Sequence, residues 1–431
     1  MAGLWEEDAR HTGTLVGRAL LQGVVDIAAT RAQERASCPA GHPARPAGRR
    51  AKTIRSLVGP IFMLRPWHHC EACHHGFALF DARLGVVCGS LSPGLVQAAA
   101  LAGMDMPFGK ADRFVALISG ARLASAKTID RATKTEGGKA RRAIDAEAAR
   151  VTASRDLAYD PDKPGKAYIV VDGTGAPMVA KETAGRDGKQ PDGRAKTREV
   201  KIACLFTQSG LDPATDQPVQ DPGSATYLAT FEACDPFAAQ TRQEFYRRGL
   251  DTIVQPVVLG DGAKWIWRIA DEKFPQATQI VDYYHACQHV HDLSHTLKRV
   301  LDDPPQWAAD LVERLDQGDT DAIAQAVEAL DLPARAPDLI PDATREIGYF
   351  ADNHQRMQYD HFKKKGYFIG SGTVESACNT VVAQRAKQAG MHWTIKGLDP
   401  IIALRVLHLS GRTGLIWNTI TDQTPAPKPQ C

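Results

Sequence analysis

The chain has 431 residues, of which 43% are hydrophobic and 24% are charged, and its formal net charge is +2. This length predicts two to four domains, and the composition excludes disorder along the whole chain. No apolar run approaches the roughly 18 residues that a membrane-spanning helix needs, so a membrane protein is not expected.

The compartment expected for the chain is the cytoplasm. The first residues, MAGLWEEDARHTG, are partly acidic and lack the basic and then apolar layout of a signal peptide. The nine cysteines are odd in number and scattered, which favours reduced thiols over a disulfide framework.

Charge is distributed unevenly along the chain. Residues 31–142 carry 18 Lys and Arg against 7 Asp and Glu, so the remainder is acidic. A polarised charge of this kind indicates an N-terminal region that binds a polyanion such as DNA. An ordinary solvated basic surface is the alternative.

The first 90 residues predict a helix followed by a small β module. Residues 1–36 end in a segment with apolar residues at helical spacing, and residues 37–90 are typical of short strands and turns around a Cys-x-x-Cys knuckle. Cys70 and Cys73 form this knuckle, while the first knuckle is irregular because Gly41 stands where a second cysteine is expected. Cys38 and His42 complete a ligand set for a structural Zn²⁺. A zinc-ribbon-like module is therefore predicted, with a metal-free remnant as the alternative.

Residues 91–160 predict a helical DNA-binding domain. Short helical patterns flank a glycine-containing turn near Gly120, which resembles a helix-turn-helix. Lys127, Arg131 and Lys134 are spaced along the second helix and are candidates for DNA contacts. A plain helical hairpin with exposed charges is the alternative.

From residue 166 the sequence predicts an α/β fold with a mixed sheet. Apolar strand candidates alternate with amphipathic helices over 166–301 and resume over 352–412, and an acidic all-helical insertion separates the two parts at 302–351. Residues 413–431 form a proline-rich tail that is expected to be disordered.

Three acidic residues are the candidate catalytic group. Asp172 and Asp261 each end an apolar strand beside glycine, and Glu375 begins a helix after GSGT. Strand ends in an α/β sheet open into loops where ligands gather, so these side chains can converge. Converging carboxylates repel unless a cation neutralises them. Two Mg²⁺ or Mn²⁺ ions would do so and would support phosphodiester chemistry.

A different interpretation starts from the histidines downstream. His285 and His289 share one helical face, and this spacing is compatible with a Zn²⁺ hydrolase. No HExxH-type general base accompanies them. The alternative is a helix beside the acidic site that contacts DNA or supports the core.

Four blocks carry a resemblance to a known family: VVDGTGAP, LGDGAKWIW, IVDYYHACQHV and GSGTVESACNTVVAQRAKQAGMHW. In this order, and with the front-end segment GPIFMLRPWHHCEACHHG, they resemble the ISKra group of bacterial insertion-sequence transposases over most of the chain. The resemblance implies an RNase H-like fold with an Asp-Asp-Glu triad made of Asp172, Asp261 and Glu375.

The same resemblance implies further roles. Asp172 would bridge two metal ions, while Asp282 and His285 would support the site without being core ligands. Four residues of the last block are expected to face the DNA backbone, namely Arg385, Lys387, His392 and Trp393.

The implied reaction is metal-assisted cleavage at the ends of the element, followed by attack of the freed 3′-OH on target DNA. The expected partners are double-stranded DNA, as terminal inverted repeats and as target, and a second copy of the chain in a dimer or larger complex. A bacterial, nucleoid-associated location follows from this reaction. The alternatives are an inactive DNA-binding descendant of such an enzyme and a nuclease of the same fold.

Overall fold

The structure is a computed structural model that describes residues 2–30, 36–86, 89–151, 165–188, 193–253, 255–370 and 372–417, without the side chains of residues 2, 4 and 373–375. Most of the predicted tail lies outside these ranges. None of the described helices has both the length and the hydropathy needed to cross a bilayer. The chain forms two compact units, Met1–Lys139 and Ala140–Leu415.

The first unit contains a small β module between helices. Its elements in chain order are α1 Ala2–Thr30, β1 Ala36–Ser37, β2 Pro43–Ser56, β3 Gly59–Cys70, β4 His75–Phe77, α2 Leu79–Arg83, α3 Pro93–Asp105, α4 Phe108–Ser119 and α5 Ala126–Val151, which continues into the second unit. The four strands pair in sequence order, all antiparallel.

The β2–β3 hairpin is longer than the short strands that the sequence predicts. Its register shifts between Pro46 and Arg49, where a bulge accommodates a residue that cannot donate to the ladder. Ile61 and Met63 point from β3 into a core that also contains Val25 of α1. Burial of this apolar face fixes the register, because a slip of one residue would turn it to solvent.

Helices α3 to α5 form a separate apolar core within the first unit. The Ser92 side chain caps α3 by accepting a hydrogen bond from the Leu95 N–H, as the Ser-Pro pattern predicts. Leu95, Val115 and Ile129 bring the three helices together. The second helix of the predicted helix-turn-helix is much longer than expected, at 26 residues.

The second unit combines a five-stranded sheet with many helices. Its strands are β5 Lys166–Pro177, β6 Thr197–Gln208, β7 Gly210–Leu211, β8 Pro218–Val219, β9 Thr226–Thr230, β10 Gln255–Gly260 and β11 Thr278–Val281. Its helices are α6 Ala180–Thr183, α7 Cys234–Arg247, α8 Lys264–Lys273, α9 Tyr283–Leu297, α10 Pro304–Asp316, α11 Asp321–Glu328, α12 Leu332–Arg335, α13 Ile340–Asn353, α14 Tyr359–Lys364, α15 Gly372–Ala377, α16 Gln384–Ala386 and α17 Ile395–Leu409. A π-helical turn, Cys378–Ala383, joins α15 to α16.

The main sheet is mixed and has the order β11-β10-β5-β6-β9. Strands β5, β6 and β9 pair antiparallel, whereas β10 and β11 run parallel to β5. Successive residues of β5 and β10 are buried, so both faces of these central strands are covered, which is why both are continuous apolar runs. Helices α10–α14 separate β11 and α9 from α15 and form the helical insertion.

A buried polar network ties the insertion's exit to the sheet. The Tyr168 hydroxyl donates to Gln208 Oε1 at 2.7 Å and accepts from the Phe368 N–H at 3.1 Å. The Gln208 amide in turn donates to the Gly366 carbonyl at 2.9 Å. These contacts fix the chain where it returns from α14 towards α15.

Removal of the Tyr168 hydroxyl is expected to destabilise the second unit. Tyr168→Phe leaves two buried partners without a hydrogen bond, so the free energy of unfolding should fall by about 1–3 kcal/mol. Chemical denaturation measures this loss. Tyr227→Phe is the control, because the Tyr227 hydroxyl makes no hydrogen bond within the described ranges. Equal effects of the two variants would contradict the prediction.

Candidate active site and candidate metal centre

Asp261 and Asp282 directly follow β10 and β11, whereas Asp172 lies within β5, which the sequence predicted to end at this residue but which continues to Pro177 in pairing with β6. Leu259 of β10 pairs with Val170 of β5, and Gly260 pairs with Val281 of β11. Continuing these registers past the end of β10 places Asp261 beside Asp172 on one side and Asp282 on the other. In-register side chains of adjacent strands point to the same face. The register therefore places the backbone of these three acids side by side, while among the described residues their carboxylates do not form a group of three ligand atoms within 4.8 Å of one another.

Asp172 lies in a partly buried, electrostatically costly position. Its Oδ1 accepts from the Gly173 N–H at 2.6 Å, and its Oδ2 accepts from the Cys378 thiol at 3.0 Å. Burial raises the pKa of Asp172, and the charge of Asp261 raises it further, against the lowering effects of these donors and of His285. The charge of Asp261 therefore disfavours the ionised form of Asp172, and a cation between the two carboxylates would reduce this repulsion.

Asp261 is held by a tight turn after β10. Its Oδ1 accepts from the Ala263 N–H at 2.9 Å, a local bond that Asp commonly makes in turns. Its carbonyl oxygen accepts from the Tyr349 hydroxyl of α13 at 3.0 Å. Burial raises the pKa of Tyr349, as do the charges of Asp261, Asp282 and Glu346, so this hydroxyl stays protonated and remains a donor.

Asp282 has a different environment from the other two acids. Its side chain is fully buried and accepts from the His285 N–H at 2.8 Å, which makes it the N-cap of α9. Capping and the positive helix end stabilise this carboxylate. His285 lies close enough for its charge to lower the pKa of Asp172. Asp282 therefore orients α9 and His285 beside the first acid.

Glu375 lies in α15, but its side chain is outside the described part of the structure. The backbone still indicates where this helix runs. Cys378, three residues further on, contacts Asp172. It is also the first residue of the π-helical turn, a local feature that often marks functional sites. No sequence signal pointed to Cys378.

The expectation that Arg385 and Trp393 face DNA needs correction for Arg385. This arginine is 1% exposed, its guanidinium lies 4.9 Å from the Trp393 ring centroid, and it contacts the sulfur of Met391. Trp393 is half-buried, and its backbone N–H donates to the Pro177 carbonyl at the end of β5. Arg385 is thus a core residue that supports the loop bearing Trp393.

Other predicted DNA-contacting residues are accessible. Lys387 and His392 are exposed, and Lys387 Nζ donates to Thr174 Oγ1, two residues after Asp172, at 2.6 Å. In the first unit Lys127 and Arg131 are exposed on α5.

Lys134, the third lysine or arginine predicted on this face of α5, differs from Lys127 and Arg131. It is half-buried and pairs with Asp130 at 2.7 Å. Part of its charge is therefore already balanced within the helix.

The zinc-ribbon residues come together in the first unit. The ligand atoms of Cys38, His42, Cys70 and Cys73 all lie within 4.8 Å of one another. The Cys38 and Cys73 sulfurs are 3.8 Å apart, and His42 Nδ1 is 3.7 Å from Cys38 Sγ and 3.1 Å from Cys73 Sγ. A tetrahedral zinc with sulfur ligands at about 2.3 Å requires sulfur–sulfur edges of roughly 3.8 Å. The cluster fits Zn²⁺.

Backbone geometry explains the irregular first knuckle. Gly41 has a φ of +86°, and its N–H donates to the Cys38 carbonyl. A cysteine at this position would be strained, because positive φ favours glycine. The tight turn carries the chain to His42, which supplies the ligand instead. Neighbouring His68 is buried and stacks on Phe77.

The thiols of this cluster have unequal proton affinities. Burial raises the pKa of Cys38, but hydrogen bonds from the His42 and Ala40 backbone outweigh it and bring the pKa to about 7. The neighbouring Cys38 and Cys70 thiols raise the pKa of Cys73 to about 11. Ionised thiols this close repel one another, so the ionisation of one raises the pKa of its neighbour. A divalent metal would reduce this repulsion.

The histidine-based zinc hydrolase is not favoured. Among the described residues, the Cys38 cluster is the one group of three or more potential ligands close enough to hold a metal. His289 Nδ1 lies 2.6 Å from Glu346 Oε2, and its ring stacks on Tyr349 at 3.8 Å. These contacts hold the His289 ring between α9 and α13, and they give its Nδ1 a carboxylate partner.

Comparisons with known proteins add little. No protein-family model matches the chain, and no curated protein matches it by sequence. A chain of the Drosophila P element transposase strand transfer complex is similar in structure, with a TM-score of 0.32, 11% identity, and coverage of 79% of this chain and 96% of that chain. A likeness at this TM-score carries no argument, so the function must be inferred from the residues of this chain.

The cysteine–histidine cluster is expected to hold one Zn²⁺ per chain. Cys70→Ser removes one of four ligands, so the bound zinc should fall well below one equivalent and the first unit should melt at a lower temperature. Elemental analysis and thermal melting measure both effects. Cys234→Ser, which changes a cysteine outside the cluster, is the control. Zinc-free wild-type protein would contradict the prediction.

Proposed function

We propose that the chain is a DNA transposase of the ISKra group, with an RNase H-like catalytic core and an Asp-Asp-Glu triad. The observation that supports the proposal most directly is that the sheet register sets Asp261 beside Asp172, whose pKa the charge of Asp261 raises. A mixed five-stranded sheet with acids in this place fits the core that the family resemblance implies.

The acidic site fits hard divalent cations. The Asp172 and Asp261 carboxylates would supply oxygen ligands, and because burial and then the Asp261 charge raise the pKa of Asp172, a nearby cation would favour its ionised form. Asp172, Asp261 and Glu375 would hold two Mg²⁺ or Mn²⁺ ions. When bound, such ions activate an attacking oxygen and stabilise the leaving oxygen in phosphoryl transfer.

The chain's own residues would supply positioning. The turn bond to Ala263 orients the Asp261 carboxylate, and the Cys378 thiol and Gly173 N–H orient that of Asp172. Rigidly held groups of this kind lower the barrier because the reactants need not be reorganised during the reaction. Lys387, exposed beside Thr174, is placed to meet a DNA phosphate next to the acids.

The reaction proposed has two steps. Water first attacks a phosphorus at the element end, the bond to the 3′-oxygen breaks, and a free 3′-OH results. This hydroxyl then attacks a phosphorus of the target DNA, loses its proton, and displaces the 3′-oxygen there. No covalent protein–DNA intermediate forms. The first unit, with its zinc-ribbon-like module and exposed Lys127 and Arg131, would recognise the terminal inverted repeats.

Asp261→Asn is expected to remove cleavage but leave end binding nearly intact. The substitution deletes a carboxylate ligand, so Mg²⁺-dependent cleavage of a duplex carrying the element ends should fall by on the order of a thousand-fold or more. Asp251→Asn, an exposed acid of the same unit, is the control. Cleavage and strand-transfer assays measure the effect, and gel shifts measure binding.

The outcomes separate the alternatives. A fully active Asp261→Asn enzyme would refute the acidic-triad mechanism. Metal-dependent cleavage by wild-type protein without joining of the 3′-OH to target DNA would identify a nuclease. Binding without any cleavage would identify an inactive DNA-binding descendant.

The basic face of α5 is expected to contact DNA phosphates. Lys127→Ala combined with Arg131→Ala should weaken end binding and flatten the dependence of log Kd on log salt by about 1 to 2. Fluorescence anisotropy across a salt series measures this slope. Lys298→Ala with Lys365→Ala removes two exposed charges from the second unit and should leave the slope unchanged. An unchanged slope in the α5 variant would exclude this face from DNA.

A further inference from the structure

One side chain of the helical insertion reaches the turn that carries the second acid. Tyr349 lies on α13, and its hydroxyl donates to the carbonyl oxygen of Asp261 at 3.0 Å. The two residues are 88 positions apart in the chain. The insertion therefore contacts the backbone of a proposed metal ligand directly.

The Tyr349 ring is held on its other side. It stacks on the ring of His289 from α9, with centroids 3.8 Å apart and an interplanar angle of 22°. His289 Nδ1 is fixed in turn by Glu346 Oε2 at 2.6 Å. Phe350 packs edge-on against Tyr349 at 5.3 Å. These contacts leave the hydroxyl little freedom to move away from Asp261.

The residue after Asp261 is fitted to the same ring. Gly262 has a φ of +97°, and a Cβ built there would lie 2.5 Å from Tyr349 Cε2. The ring thus packs against the turn where a side chain would otherwise stand. Tyr349 holds the turn through its hydroxyl at Asp261 and through its ring at Gly262.

We propose that Tyr349 is a positioning residue for Asp261, and that the helical insertion thereby sets the geometry of the acidic site. The hydrogen bond and the ring contact hold the turn after β10, and the turn bond from Ala263 transmits this position to the Asp261 carboxylate. This inference rests on the proposed function, because it assigns the insertion a role at the same site.

The decisive variant is Tyr349→Phe, which keeps the ring and removes the hydroxyl. The turn loses one hydrogen bond, so the Mn²⁺ concentration that half-saturates the rise in melting temperature should increase about three- to ten-fold. The metal concentration that half-saturates cleavage should rise in parallel, while binding of the element ends stays unchanged. A residue with only a structural role would lower the melting temperature equally with and without Mn²⁺.

Matched variants make the test specific. Tyr246→Phe removes a hydroxyl of comparable burial that accepts from Arg242 on α7, and its metal dependence should equal that of wild type. Gly262→Ala adds a methyl group that meets the Tyr349 ring. It should therefore raise the half-saturating Mn²⁺ concentration as Tyr349→Phe does. Measurements are made well below the melting temperatures of all variants.

The outcomes distinguish this inference from the function on which it rests. Wild-type protein that shows neither Mn²⁺-dependent stabilisation nor metal-dependent cleavage would overturn the proposed function. A responsive wild type with Tyr349→Phe indistinguishable from Tyr246→Phe would leave the function standing and overturn the positioning role. A rise in the half-saturating Mn²⁺ concentration that is confined to Tyr349→Phe and Gly262→Ala supports the positioning role of Tyr349.

Discussion

The burial of one carboxylate, Asp172, beside a second, Asp261, is the constraint on which the proposed site of the second unit depends. The parallel registers of β5, β10 and β11 put Asp172, Asp261 and Asp282 in one row. Each charge is compensated by a different donor: a thiol and a main-chain N–H, a turn N–H, or a helix N-terminus. Burial, and to a smaller extent the charge of Asp261, raise the pKa of Asp172; in the proposed function a divalent cation would offset this cost.

A related constraint shapes the first unit. Its β module is small, and modules of this size commonly need a metal or disulfides to supplement a limited apolar core. Cys38 and His42 follow β1, whereas Cys70 and Cys73 lie at the β3–β4 turn, so one zinc would join the two ends of the long hairpin. The basic α5 face follows in the same unit. In the proposed function, the cysteine–histidine module and the basic face of α5 would both take part in DNA recognition.

Burial changes the role of a residue without changing its type. Arg385 belongs to a basic block that suggests phosphate contacts, yet its guanidinium stacks on Trp393 inside the protein. Arginine is suited to this because its planar group packs on aromatic rings. Lys387, two residues further along, is exposed beside the acidic row. The orientation of each side chain on a short helical segment depends on packing that a linear pattern does not contain.

Local pattern predicted the main strands and helices but not their lengths. Apolar runs predicted the buried parts of β5 and β10, and Cys-x-x-Cys predicted the cysteine–histidine cluster, because such patterns are encoded over a few neighbouring positions. The alignment of Asp282 with the other acids depended on strand register, and the Cys378 and Tyr349 contacts depended on packing across 206 and 88 positions. Such contacts arise when distant segments bury their surfaces together, so no local spacing predicts them.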